Sequence, residues 1–308
     1  MAEHEGAEAQ FHSGFVCFVG RPNTGKSTLT NALVGSKIAI TSSRPQTTRH
    51  TIRGIVHRPH AQLILVDTPG LHRPRTLLGQ RLNDLVRDTY SEVDVIAQCF
   101  PADERVGPGD RWILEQIRNV APKTTFLGVV TKIDKVGKQR VAEQLLAISQ
   151  MLGANADVVP VSATPDKSEN LDTLVDVLAS KMPEGPAFYP DGELTDEPEE
   201  TLMAELIREA ALEGVRDELP HSLAVVIEEV LPREGRDDML DVHALLYVER
   251  QSQKAIVIGK GGARLREVGT NARAQIERLL GMRIYLHLHV KVAKDWQRDP
   301  KQLGRLGF

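Results

Sequence analysis

The chain has 308 residues, 41% of them hydrophobic and 26% charged, and a formal net charge of −4. That length suggests two domains, each able to bury a core, and the composition is that of an ordinary globular protein. The balance of charge excludes a generic polyanion binder, and no apolar run approaches the ~20 residues needed to span a bilayer. Two cysteines, Cys17 and Cys99, sit in apolar runs. Two buried thiols in so long a chain point to a reducing compartment, not to a disulfide scaffold. The start, "MAEHEGAEAQFHSG", is acidic without an apolar core and does not read as a signal peptide. The expectation is a soluble, cytoplasmic protein whose membrane contact, where there is any, is peripheral.

Residues 1–12 are expected to be disordered. "FVCFVG" (15–20) is a short apolar run ending in Gly, a buried strand, and "GKSTLTNALVG" continues as a helix with Gly35 as its C-cap. "TIRGIVHR" and "AQLILVDTPG" are strands joined by a turn at Arg58-Pro59-His60, and "TLLGQRLNDLVRDTYSEV" has a helical period. "DVIAQCF", "KTTFLGVVTKID" and "ADVVPVSA" read as strands. They alternate with helices in "GDRWILEQIRNV", "QRVAEQLLAISQML" and "NLDTLVDVLASKM". Such alternation predicts an α/β domain over 13–182 with a mostly parallel sheet and helices on both faces. Residues 183–200, rich in Pro, Gly and acid, read as a linker. Beyond them, 201–308 predicts a smaller α+β domain with a C-terminal tail. A helix, two strands separated by a charged loop at 232–238, a helix–Gly turn–helix and a closing strand "RIYLHLHVKV" follow in order.

"GRPNTGKS" (20–27) fits G-x-x-x-x-G-K-[ST] between a strand and a helix. In that context Gly20, Arg21, Pro22, Asn23, Thr24, Gly25 and Thr28 form a backbone cradle for phosphates at a helix N-terminus. Lys26 reaches the β- and γ-phosphates, and Ser27 ligates Mg²⁺. "LILVDTPG" places Asp67 at a strand end, where it holds Mg²⁺. Thr68 and Pro69 follow, and Gly70 senses the γ-phosphate. Thr48, with Thr47 as the alternative, is the candidate for a second hydroxyl on Mg²⁺.

"VVTKID" (129–134) resembles the Asn-Lys-x-Asp loop that reads guanine, with Thr131 in place of Asn. Asp134 can accept both the N1–H and N2–H₂ donors of guanine, and facing adenine it would be buried against an acceptor. Lys132 lays its stem over the base. "VSA" brings Ser162 and Ala163, whose N–H can donate to O6. The expected ligands are therefore GTP and GDP, with Thr131 affecting affinity more than selectivity.

Charge is uneven. Residues 191–218 hold eleven acids and two bases, and 251–294 hold nine bases against Glu267 and Glu277. "GKGG" (259–262) lies between two helical segments inside the basic stretch. A G-x-x-G loop there allows close approach of a nucleic-acid backbone. Ile258, Gly259, Lys260, Gly261, Gly262, Arg264 and Arg266 are the candidate RNA-binding residues, with Ile256 beside Ile258 as an apolar floor. No aromatic stack is visible in that stretch.

Taken with "SRPQTTRHTIRGIV", "DTPGLH" and "ARAQIERLLGMRIYLHLHVKV", these motifs resemble the Era family of bacterial GTPases over nearly the whole chain. The resemblance implies a Ras-like P-loop GTPase domain followed by a type II KH domain that binds single-stranded RNA. It implies the 3′ end of small-subunit ribosomal RNA and the small ribosomal subunit as partners, in subunit maturation. It also implies peripheral contact of some members with the inner face of the cell membrane. Asn23 stands where several related GTPases ligate K⁺, and Leu71 stands where many Ras-like proteins carry a water-positioning Gln. Two departures are Thr131 and His221, which replaces the usual Tyr. The expected state is a monomer.

Other residues have ordinary readings. His287 and His289 lie on one strand face without further ligands at metal spacing. Trp112 and Trp296 read as packing anchors, Asp103 and Glu104 as solvated turn residues, and 191–200 as a solvated run. A P-loop kinase of small molecules would need neither "DTPG" nor "TKID". An RNA-binding protein with an inert nucleotide domain is opposed by Lys26, Ser27 and Asp67. The remaining alternative is a GTP-regulated RNA-binding protein at the cell envelope with no role in ribosome assembly.

Overall fold

Six short apolar runs that can satisfy their backbone groups only by pairing form the core of the first compact unit. It comprises residues 1–36, 51–68 and 87–196 of a computed structural model that describes residues 10–41, 48–69, 76–153, 156–213 and 222–308. The strands are β1 (His12–Val19), β2 (Ile52–Arg58), β3 (Ala61–Asp67), β4 (Val95–Pro101), β5 (Thr125–Thr131) and β6 (Val158–Pro160). They lie in the order β2-β3-β1-β4-β5-β6, parallel except for β2, which pairs antiparallel with β3 through the tight turn at 59–60. The centre is apolar throughout: β3 and β4 are buried at every position. This mixed, mostly parallel sheet is the α/β architecture that the alternating runs predict.

The helices along this part of the chain are α1 (Lys26–Val34), α2 (Leu77–Glu92), of which residues 77–86 belong to the second unit, α3 (Pro108–Val120), α4 (Lys138–Leu152) and α5 (Leu171–Ala179). Helix α1 ends at Gly35, whose φ of 78° closes the C-terminus through a bond to the Asn31 carbonyl. Because β1 is flanked by β3 on one side and β4 on the other, the order of connection reverses there. Ligands of open α/β sheets bind at the carboxyl ends of strands at such a point. The loop after β1 is the one with phosphate-site spacing.

Several local expectations differ from the structure. His12 already pairs in β1, accepting a place opposite Ala61. Residues 183–196 are not a free linker but strapped to the first unit. Gly185 N–H donates to Phe11, Ile55 N–H to Leu194, and Gln62 Oε1 accepts from the Phe188 and Tyr189 amides. The acidic run is anchored in part. Asp196 accepts from Tyr189 Oη at 2.6 Å and pairs with Arg53 at 3.1 Å. Strand β6 stops at Pro160, because Ser162 turns away to bridge Glu169. Glu104 is exposed in the turn after β4, as expected, and also pairs with Arg21 at 2.8 Å. Trp112 is 38% exposed and anchors no core.

The second unit comprises residues 37–50, 69–86 and 197–308. Helix α6 (Glu199–Leu212) precedes strands β7 (Ala224–Arg233) and β8 (Arg236–Val248). The loop expected at 232–238 is a two-residue hairpin, since Gly235 supplies the positive φ (73°) that lets both strands continue to Arg233 and Arg236. Helices α7 (Gln251–Ile258) and α8 (Ala263–Leu280) and strand β9 (Arg283–Val292) follow, with β9 parallel to β8 at the sheet edge. Val242, Ala244, Leu246 and Val248 alternate onto the helix-facing side, where Val257, Val268, Ala272 and Ile276 meet them. A final helix, α9 (Pro300–Arg305), ends the chain where the sequence suggested only a tail. Trp296 is fully buried against it and donates to the Ser222 carbonyl, as befits an anchor.

Candidate nucleotide site and nucleic-acid interface

The phosphate-site loop is held by contacts inside the first unit. Gly20 has φ 155°, and a Cβ there would stand 2.9 Å from the Cys99 carbonyl and 2.8 Å from Thr24 Oγ1, so only glycine fits. Thr24 is buried and donates to the Arg21 carbonyl at 3.0 Å. Gly25, with φ 95°, opens α1, and Thr28 is exposed on its first turn. Pro22 and Asn23 are exposed at the tip. Asn23 has φ 63°, a left-handed conformation that asparagine tolerates better than most residues. Arg21 turns away from the cradle: it bonds Asp110 at 2.8 Å as well as Glu104.

Lys26 is buried, and its Nζ donates to the carbonyls of Gly20 (3.3 Å) and Arg21 (3.1 Å). Burial lowers its pKa, while the Asp67 carboxylate opposes that shift. Asp67, fully buried at the end of β3, accepts from Ser27 Oγ at 2.7 Å. A hydroxyl and a carboxylate held together beside a lysine are hard oxygen donors of the kind Mg²⁺ prefers. Thr68 is buried, 3.7 Å from Cys17 Sγ. Thr48 is buried within the second unit, to which Pro69 also belongs. Thr47, Gly70, Leu71 and His221 lie outside the described residues.

The base-reading segments also come together. Thr131 ends β5, is buried, and its hydroxyl donates to the Thr24 carbonyl at 2.6 Å. Lys132 takes φ 58° and starts a 3-10 turn carrying Asp134. The Asp134 carboxylate accepts from Ser162 Oγ at 3.0 Å and from Thr164 Oγ1 at 3.2 Å. Ser162 is fully buried and Ala163 follows it in the same loop. Sequence reasoning missed Thr164. A hydroxyl two residues after the buried Ser162 was the available signal.

In the second unit, Gly259, Gly261 and Gly262 all have positive φ (72°, 59° and 75°), which makes the tight turn between α7 and α8. A Cβ on Gly259 would lie 2.7 Å from Arg264 Cβ. Lys260 and Arg266 are exposed; Ile258 packs partly on the core, and Ile256 is exposed. Arg264 is engaged elsewhere: its guanidinium donates to the Ala211 (3.1 Å) and Glu213 (2.5 Å) carbonyls, tying α8 to the end of α6. Next to the turn, α8 and β9 enclose a groove of about 290 Å³. Arg266 and Arg273 flank it, Leu265, Leu286 and Leu288 form an apolar lining, and Tyr285 stands at its edge. Tyr285 is 47% exposed, with the Arg233 guanidinium 4.3 Å from its ring centre. An aromatic ring is therefore present at the groove, supplied by β9 toward the end of the basic stretch rather than by the residues around GKGG. Among the described residues no cluster of His, Cys, Asp and Glu could hold a metal ion, and no helix is long and apolar enough to cross a membrane.

Comparison with known proteins agrees with this geometry. Residues 15–132 match the family model of the 50S ribosome-binding GTPases, and residues 218–297 match that of the KH domain. GTPase Era of Mycobacterium sp. strain JLS is 79% identical over 300 residues, covering 97% of this chain and all of the relative. GTPase Era of Mycobacterium tuberculosis strain H37Ra is 74% identical, covering 97% and 99%. A crystal structure of Era in complex with MgGDPNP and nucleotides 1506–1542 of 16S ribosomal RNA is 37% identical with a TM-score of 0.91, covering 96% of this chain and 99% of that one. A variant of Aquifex aeolicus Era bound to GDP and AlF4⁻ aligns with the same score and coverage. The chain belongs to the Era family of GTPases, a nucleotide-hydrolysing domain joined to a KH domain.

Proposed function

We propose that this GTPase couples guanine-nucleotide turnover to the binding of single-stranded RNA, and that its RNA is the 3′ end of small-subunit ribosomal RNA. The observation that carries the reading is the groove beside the GKGG turn. It is flanked by arginines, floored by leucines and edged by Tyr285, so it offers phosphate, sugar and base contacts together. The Era relative bound to nucleotides 1506–1542 of 16S ribosomal RNA supports the choice of RNA. Maturation of the small subunit in the cytoplasm is the corresponding role.

At the other end of the chain's chemistry, Asp134 reads N1–H and N2–H₂ of guanine, Ser162 and Thr164 aim its carboxylate, and the Ala163 N–H meets O6. Lys132 covers the base. The amides of the 20–27 loop and Lys26 bind the phosphates. Ser27 and Asp67 would hold Mg²⁺, with Thr48 the candidate for a further hydroxyl; the ion supplies charge neutralisation along the phosphates when bound. Asn23 is the candidate ligand for a K⁺ ion.

Changing Lys260 and Gly261 both to Asp tests the RNA half. Two carboxylates at the turn should abolish binding of a single strand copied from the 3′ end of 16S ribosomal RNA while GTP binding persists. Gly261, at φ 59°, tolerates Asp better than most replacements, so the fold survives. Undiminished binding by the double variant would remove the KH reading of this turn.

A further inference from the structure

Helices α3 and α4 of the first unit enclose a second cavity, of about 430 Å³, lined by none of the residues assigned so far to nucleotide or RNA. Arg105, Arg111 and Arg140 all line it, over apolar atoms of Val106 and Met151, and Glu143 is its one acid among the described lining residues. Arg140 is held in place, 3.4 Å from Glu143 and donating to the Glu104 carbonyl at 3.2 Å. The Gln144 amide donates to that same carbonyl at 3.0 Å. Arg105 and Arg111 are exposed and have no carboxylate partner among the described residues. Arg21, Arg53 and Arg58 of the same unit are each paired with one. A concave surface with two uncompensated guanidinium groups, in a chain of net charge −4, concentrates positive potential locally. Guanidinium forks match phosphate geometry, and an apolar floor suits the sugar face between phosphates.

We propose that the α3–α4 cavity is a second RNA contact, taking the phosphodiester backbone of the same RNA whose single strand occupies the KH groove. The proposal rests on the RNA reading above. Its location gives it a second property. Glu104, whose carbonyl braces Arg140 and Gln144, uses its carboxylate to hold Arg21 of the phosphate-site loop. A phosphate that draws Arg140 toward itself competes with this carbonyl, so RNA here acts on the loop that holds the nucleotide.

The test uses the full chain with Arg105→Glu and Arg111→Glu together, and Arg105→Ala with Arg111→Ala as a milder pair. Two probes are compared, naked full-length 16S ribosomal RNA and a single strand from its 3′ end long enough to fill a KH groove. With two phosphate contacts removed, affinity for 16S RNA should fall about tenfold or more and the slope of log K against log salt should shrink by roughly 2. Affinity for the short strand and GTP hydrolysis without RNA should stay at wild-type levels, while any stimulation of hydrolysis by 16S RNA should diminish. Unchanged 16S affinity and salt slope would overturn the proposal, as would equal losses on both RNAs in both pairs. A loss confined to intact small subunits would assign the cavity to an acidic protein instead. Saturable binding of inorganic phosphate by the GDP-loaded protein, abolished in the variants without any change in 16S binding, would assign it to a small anion. Failure of the wild type to bind either RNA removes the underlying reading, a distinguishable result.

Discussion

The hydroxyl of Thr131 donates a 2.6 Å hydrogen bond to the main-chain carbonyl of Thr24, so the base-reading loop and the phosphate loop are joined although 107 positions separate them. A buried threonine makes this tie. Thr131→Val keeps the shape and removes the donor, leaving a buried carbonyl unsatisfied. The expected cost is about 1–3 kcal/mol of stability, with GDP and GTP affinity weakened alike. Thr131→Asn should change affinity little. Calorimetry of both nucleotides on both variants checks this, and selective loss of one nucleotide would contradict it.

Asp134 is aimed by Ser162 and Thr164. Replacing it with Asn places N–H donors where guanine also has donors. GTP binding should drop by ~10²-fold or more, and xanthosine triphosphate, with a carbonyl at C2, should bind better than GTP. Unaltered GTP affinity would mean that Asp134 does not read the base.

Much of this site was legible in the sequence because its spacing rules are local: Gly20 to Ser27 are consecutive, and Asp67 ends a run that can only be a buried strand. Contacts made by distant partners were not legible. Arg264 reads as an RNA ligand by its place after GKGG, yet its fate is decided by the free carbonyls at the end of α6, 53 and 51 positions away. Tyr285 and Thr164 escape notice because their roles depend on a groove and a carboxylate assembled by other segments. Residues 183–196 have the composition of a linker, but Gln62, buried in β3, needs hydrogen-bond partners that the segment supplies.

Asn23 distinguishes two roles. Its φ of 63° shows that the position favours asparagine for backbone reasons alone. Asn23→Gly preserves the backbone and removes the side-chain oxygen, a better probe than alanine. If the residue ligates a monovalent cation, wild-type hydrolysis should run faster in potassium than in sodium, and the glycine variant should lose the difference. Equal wild-type rates in the two salts would leave Asn23 a conformational role only.

Within the second unit, Glu205 and Arg208 form a buried pair, 2.6 and 2.9 Å apart through two bonds. Burial pushes the Glu205 pKa up, but the Arg208 charge and hydrogen bonds, with smaller help from His50 and Arg49, hold it below its ordinary value. A carboxyl whose folded pKa is depressed lends stability above its unfolded pKa, and that stability is lost as pH falls through the folded value. Glu205→Gln should therefore cost about 3–5 kcal/mol of the second unit's stability at neutral pH and far less in acid, where the wild-type carboxyl is itself protonated. The variant should also flatten the acid limb of stability against pH below ordinary glutamate titration, measured by denaturant melts. An unchanged limb would show that Glu205 titrates alike folded and unfolded.

Cys17 and Cys99 lie on neighbouring central strands with no exposed surface, and burial pushes both thiols up to about 12. At physiological pH neither offers a thiolate, and no alkylating reagent reaches either sulfur while the sheet is intact. Their modification rate is then set by how often the sheet opens. The native chain, without any introduced label, carries two internal clocks for the opening of its nucleotide-binding unit, and nucleotide that closes that unit should slow both.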